Sequence, residues 1–303
     1  MDDIIQEKDI SRQIETIYGF SIKSFVQAPR GWWAETHILD TNKGKYFIKI
    51  YIDDMSYENE LYASIHKQYE IAKYIDYIPK PEKTKSGDFL PKLDNKRIMA
   101  LYSFIDGEKY SCSNANEILK LMIPIYKLDI KGLNKNPYYF YGEKIVEDLR
   151  NSKYDVKSDI WIDFLKINSE ALIKYWDYYK IMYNNVITKG KDIYLTHGDL
   201  GANLMIDRTD KIFIVDWDSI SLGPIERDLR EFIDINTDIN ELERTAKNAG
   251  FYWEFDKDYH NYYILNNLYD DLGILFSYEQ NDNADKVIGQ QKNIDNMERK
   301  LII

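Results

Sequence analysis

Cysteine is almost absent from this chain: Cys112 stands alone among 303 residues. One thiol excludes an internal disulfide framework and a Cys-rich zinc site, and it suits a reducing compartment. Histidine is scarce too, at positions 37, 66, 197 and 260. No His-x-His or His-Glu-x-x-His pair is there to hold a catalytic zinc. No apolar run approaches the roughly 18 residues of a membrane span. The opening "MDDIIQEKDI" is acidic, with neither the basic nor the apolar stretch of a secretory signal. These absences predict a cytoplasmic protein with no membrane partner. Positive charge is in deficit, with 40 Lys and Arg against 51 Asp and Glu, a net −11. That balance argues against nucleic acid as a partner and suits a cationic small molecule.

What is present is enough for a sizeable core in one large or two smaller domains. Tyr is used 26 times, which reads as a compositional habit rather than as a site. In the first third, "KSFVQA", "THILDT" and "GKYFIKIYI" predict strands, with "TNKG" a hairpin turn between the last two. "SYENELYASIHKQYEIAKYI" predicts a helix with Ser56 as N-cap, and "RIMALYSFIDG" a buried strand ended by Asp-Gly. Beyond about residue 113 the character changes. "ANEILKLMIPIYKL" is helical with a kink expected at Pro124, and 131–160 reads as a loop-rich insertion. Ile162, Leu165, Leu172, Trp176, Tyr179, Tyr183 and Val186 form one face of a long helix. Residues 238–303 again look mostly helical. A small strand-rich half thus precedes a helix-rich half, and ligand sites favour the cleft between such halves.

The chemistry concentrates in "LTHGDLGANLMID" and "FIVDWD". "DIYLT" predicts a short strand feeding a loop at His197–Gly198–Asp199. "NLMID" and "KIFIVDW" predict two strands joined by a turn at "RTD". Such a hairpin brings Asn203 close to Asp216, an amide oxygen beside a carboxylate. Mg²⁺ takes such hard ligands and keeps waters and phosphates in its remaining positions. Asp199 stands one loop away, open to a substrate hydroxyl.

"HGDLGANLMID…FIVDWDSISLGP" resembles the aminoglycoside phosphotransferase and choline kinase family, relatives of protein kinases. The resemblance implies an α+β, bilobal, protein-kinase-like fold. Its lobes would be an N-terminal nucleotide-binding lobe over 1–103 and a C-terminal catalytic and substrate-binding lobe over 104–303. It implies transfer of a phosphoryl group from ATP or GTP, with Mg²⁺, to a small-molecule hydroxyl. Asp199 matches the catalytic base, Asn203 and Asp216 match the metal ligands, and Arg227 and Asp228 match structural residues. The Asp–Asn spacing is one residue shorter than the family pattern. His197 matches a residue that holds the loop by hydrogen bonds.

In the first half the resemblance assigns Lys49 to the α- and β-phosphates, paired with Glu60 and with Glu58 as its competitor. By itself, Lys49 alternating with Phe47 better fits an edge strand facing solvent, and the downstream motif reverses that reading. "QAPRGWWAETH" has only Gly31 where a protein kinase has several glycines, and Arg30 and Gly31 are the candidates there for phosphate contact. "MALYSFIDG" looks like a hinge, with backbone groups from Leu101 to Ser103 facing the purine. The acidic residues Asp218, Glu231, Asp234, Asp270 and Asp271 are candidates for binding ammonium groups of the acceptor, with an aminoglycoside first among acceptors. Choline, ethanolamine and sugars are alternatives, as is a catalytically weak kinase-like protein that only binds nucleotide.

Overall fold

A computed structural model describes residues 2–28, 34–52, 58–94, 97–112, 114–135, 138–153, 158–277 and 284–302. The chain packs as two compact units. One comprises Met1–Ser111, Leu128–Leu133 and Ala202–Ser221; the other comprises Cys112–Lys127, Asn134–Gly201 and Leu222–Ile303. The first unit opens with α1 (Asp2–Tyr18), β1 (Ile22–Gln27), β2 (Ala34–Thr41), β3 (Gly44–Ile52), α2 (Glu58–Ile71), β4 (Arg97–Ser103) and β5 (Gly107–Lys109). The second contributes α3 (Ala115–Tyr126), α4 (Glu143–Arg150), α5 (Asp159–Thr188) and β6 (Tyr194–Thr196). The chain returns to the first unit for β7 (Leu204–Asp207) and β8 (Ile212–Ile214). It ends in the second with α6 (Glu226–Leu229), α7 (Ile239–Asn248), α8 (Lys257–Ser277), α9 (Ala284–Asp295) and α10 (Met297–Lys300).

In the first unit β1–β4 form one antiparallel sheet in sequence order. The β2–β3 turn is fixed by Thr41, whose hydroxyl accepts from the Lys43 N–H and donates to the Gly44 carbonyl. Strand periodicity then sorts β3 onto two faces. Ile48 and Ile50 join Leu39, Met99 and Leu101 on the face that α1 covers with Ile10, Ile14 and Tyr18. Tyr51 and Phe47 face the opposite cluster of Leu61, Ile65 and Phe89 under α2. The register sets Lys49 between Thr36 on β2 and Ala100 on β4, so its strand is central and not an edge. A second sheet in this unit runs β5–β7–β8. This pairing draws 202–221 into the first unit, although it follows the loop of Asp199 directly in sequence.

In the second unit α5 and α8 build the core. Trp161, Phe164, Leu165, Leu172, Trp176, Tyr179 and Val186 on α5 pack with Tyr259, Tyr262, Leu265, Tyr269 and Leu272 on α8. The tyrosines are structural here. Tyr179 stacks on Tyr269 with ring centres 5.5 Å apart. The hydroxyls of Tyr179 and Tyr262 both donate to the Tyr139 carbonyl, at 2.9 and 2.8 Å, so the phenols are buried without losing their hydrogen bonds. Residues 131–160 are not merely loop. They include α4, whose Val146 and Leu149 enter this core, and Tyr138, Phe140 and Tyr141 pack against it. α3 begins at an Asn114 cap, runs through Pro124 and stops at Tyr126, so the proline lies in its last turn.

Candidate functional site

Two charged clusters carry the residues singled out above, one in each unit. In the first unit, the Lys49 ammonium lies 2.6 Å from Asp216 Oδ1 and 2.9 Å from Asp218 Oδ2. Tyr51, two residues on and therefore on the same face of β3, donates its hydroxyl to the same Asp218 oxygen at 3.1 Å. Burial opposes the charged form of Lys49, but the two carboxylates outweigh it and raise its pKa well above the usual lysine value. The β7–β8 hairpin forms in the expected place, with Leu204 opposite Ile214. Its turn is held by Asp207, whose Oδ1 accepts the Thr209 and Lys211 N–H groups. The Val215 N–H donates to the Asn203 carbonyl at 2.9 Å, which brings Asn203 alongside the residue before Asp216. Asp216 itself has φ 63° and ψ 64° and opens a 3-10 turn over Trp217–Ser219. Few residues other than Gly tolerate that left-handed region, and Asp is among them.

Several expected assignments change in this unit. Glu60 is exposed on α2, and Lys49 is held by Asp216 and Asp218 instead. α2 still reaches the cluster, through Ser64, whose hydroxyl donates to the Asp218 carbonyl at 3.1 Å. Asp218, an expected acceptor-binding carboxylate, is thus committed to Lys49 and Tyr51. The Leu101 carbonyl accepts the Glu82 N–H at 2.7 Å, and the Ser103 N–H donates to the Lys80 carbonyl at 2.9 Å. Those two groups pair the outer edge of β4 with residues 80–82. Ser56, Arg30 and Gly31 lie outside the described residues.

In the second unit the His197–Gly198–Asp199 loop is held by its own backbone. The fully buried carboxylate of Asp228 on α6 accepts the His197 N–H at 3.1 Å and the Gly198 N–H at 2.7 Å. The Tyr126 hydroxyl adds a third bond to it at 3.2 Å. Arg230 donates to the Gly198 carbonyl at 3.0 Å and to Asn267 on α8 at 3.2 Å. Arg227 donates to Thr196 at 2.8 Å from the strand that feeds the loop. Gly198 has φ +91°, and a Cβ there would meet the Arg227 guanidinium at 2.1 Å, so only glycine fits. Buried His197 accepts the Asp199 N–H on Nδ1 at 3.2 Å, the holding role expected of it. The result is a rigid loop with Asp199 exposed.

The remaining acidic candidates divide. Glu231 bonds Lys300 at 2.8 Å and leans on Gly201, where a Cβ would meet its Cγ at 2.7 Å. Asp234 bonds Arg299 at 2.6 Å. Both carboxylates are engaged by the C-terminal segment and are thereby occupied. Asp270 and Asp271 are half-buried on α8. Burial raises the carboxyl of Asp270 and pushes that of Asp271 up to about 6, against the Gln290 hydrogen bond, and nearby Asp270 adds to the upward push. The sequence reading missed Tyr51, Ser64 and Arg230. The two-residue spacing of Tyr51 from Lys49 was a usable signal; Ser64 and Arg230 act through partners distant in sequence.

Among the described residues no group of three or more His, Cys, Asp or Glu is placed to hold a metal ion, and no helix is long and apolar enough to cross a membrane. No family model matches the chain, and no curated protein matches it by sequence. Solved structures do. A spectinomycin phosphotransferase in complex with ADP and spectinomycin is similar over 95% of this chain and 93% of its own, with 20% identity and a TM-score of 0.72. An amicoumacin kinase with AMP-PNP and Ca²⁺ is similar over 98% and 96%, at 13% identity and a TM-score of 0.61. A choline kinase from Streptococcus pneumoniae is similar over 98% of each chain, at 14% identity and a TM-score of 0.57. The chain therefore has the expected α+β fold, the one these small-molecule kinases share.

Proposed function

We propose that this chain transfers the γ-phosphoryl group of ATP or GTP to a hydroxyl of a small-molecule acceptor. The observation that carries the proposal is Asp199: an exposed carboxylate on a loop whose backbone is tied down by Asp228 and Arg230. A base that must meet a hydroxyl needs a fixed position and an exposed carboxylate, and this loop supplies both. Lys49 supplies the cation for the nucleotide phosphates, in the lobe assigned to residues 1–103. Asn203 and Asp216 offer the hard oxygen donors that suit Mg²⁺, and the Asp216 side chain is 46% exposed and so open to a ligand. The backbone bond from Val215 to Asn203 supports this pairing despite the shortened loop. A bound Mg²⁺ would neutralise phosphate charge there.

The acceptor we favour carries ammonium groups, an aminoglycoside before choline, ethanolamine or a sugar. Asp270 and Asp271 support this, as carboxylates on α8 not committed to an ion pair among the described residues. The test is triphosphate turnover with Mg²⁺, using ATP and GTP against aminoglycosides, choline, ethanolamine and neutral sugars. Turnover with an amine-bearing acceptor is the expected result. Nucleotide binding without turnover on any acceptor would favour the nucleotide-binding alternative.

A further inference from the structure

We infer that Asp218 is the positioning residue for Lys49, doing the work first expected of Glu60 on α2. The inference rests on the proposed function for its consequence but on the geometry of the first unit for its content. A buried ammonium needs a counter-charge that stays with it. Lys49 has two, and they differ in access: the Asp216 side chain is 46% exposed and that of Asp218 is 19% exposed. Asp216 thus has a second prospective claimant in Mg²⁺, whereas Asp218 faces inward.

Asp218 is also the better anchored of the two. One carboxylate oxygen receives both Lys49 and the Tyr51 hydroxyl, from the same face of β3. Its carbonyl receives the Ser64 hydroxyl from α2. The intervening Trp217 is buried, and its indole N–H donates to the Ile214 carbonyl at 3.0 Å, which fixes the 3-10 turn. α2 therefore governs Lys49 at one remove, through a hydroxyl on the main chain of Asp218, and Glu60 is left exposed. With Asp216 drawn to metal and phosphate, Asp218 keeps the ammonium directed.

The experiment compares Asp218→Asn, Asp216→Asn and Glu60→Gln, each with and without Lys49→Met. It reads Mg²⁺–ATP dissociation constants, nucleotide and acceptor KM, and nucleotide-free thermal midpoints. Asp218→Asn should weaken nucleotide binding at least about 10-fold with Lys49 present and less than about 2-fold with Lys49→Met, since it acts through the lysine. Acceptor KM should stay put. Asp216→Asn should differ by also losing the Mg²⁺ dependence of binding. Glu60→Gln should change nucleotide binding less than about 2-fold. Tyr51→Phe, a milder variant that leaves every charge in place, should weaken binding by a smaller factor in the same direction. Equal losses from Glu60→Gln and Asp218→Asn would overturn the inference, as would an Asp218→Asn effect that persists with Lys49→Met. A wild-type protein that binds no nucleotide would sink the proposed function alone. The thermal cycle then decides, with coupling between positions 49 and 218 upholding the clamp and strict additivity overturning it.

Discussion

The two charged clusters solve one problem in opposite ways. Around Lys49 the contacts run from side chain to side chain, and one partner, Asp216, is half-open to solvent. Around Asp199 they run from buried side chains onto the main chain, through Asp228 and Arg230, and the residue at the tip is exposed. Side-chain ion pairs can be exchanged for a ligand at the cost of one contact. Main-chain clamps cannot be exchanged without losing the loop. The contrast suits the proposed roles, in which one cluster hands a carboxylate to a metal and the other holds a base still while its substrate comes and goes.

Removing the proposed base is expected to have the largest effect. Asp199→Ala should cut turnover roughly 10²–10⁴-fold, the usual weight of a general base. Nucleotide affinity should be little changed, because the proposal sets this residue against the acceptor and the Lys49 cluster is untouched. Initial rates on a confirmed acceptor, with calorimetric nucleotide titration, check it. Near-normal turnover would remove Asp199 from the mechanism and leave the rigid loop without a purpose.

The rigidity of that loop can be isolated with two glycines. Gly198 and Gly87 both have φ near +90°, at +91° and +90°, but a Cβ meets nothing at Gly87 and meets Arg227 at Gly198. Gly87→Ala should cost only the backbone strain, about 1 kcal/mol. Gly198→Ala should cost at least about 3 kcal/mol, since Arg227 must also give up its bond to Thr196. Denaturant melts of both variants decide the matter, and equal costs would mean that the clamp yields easily.

A smaller effect is expected at Asp271, and it has two signs. Its folded pKa of about 6 lies above its ordinary 3.8. The contribution of the protonated form to stability is then full below about pH 4 and lost as pH rises through about 6. Asp271→Asn should therefore gain roughly 1–2 kcal/mol at pH 8 and little at pH 4. Binding of a cationic acceptor should move the other way, strengthening as pH rises through about 6 in the wild type and flattening in the variant. Its KM should also rise with salt, as the Debye length falls from roughly 10 Å at 0.1 M to about 3 Å at 1 M. A neutral acceptor preferred at every pH and salt would detach Asp271 from acceptor recognition.

The sequence by itself determined much of what depends on neighbours along the chain, though not α1 or α4. Strand alternation gave β2 and β3, while the central place of Lys49 came from the register with β2 and β4. The turn residues of "DRTDK" set the hairpin that joins Asn203 to the Asp216 segment. The period of α5 named five of its ten buried residues, Leu165, Leu172, Trp176, Tyr179 and Val186. Tertiary structure alone decided which charges meet. Lys49 finds partners 167 and 169 residues away, and the His197 N–H finds Asp228 31 residues on. Glu60 stood at a suitable helical position, yet the ion pair went to Asp218 because the 3-10 turn after Asp216, fastened by Ser64 and Trp217, delivers that carboxylate into the buried face of the sheet. Nor does any local pattern show that residues 80–82 return to pair with the Leu101 carbonyl and the Ser103 N–H. Periodicity fixes which way a side chain or a backbone group points. What waits there is set by loop closure over long separations, and a single sequence records no distance for that.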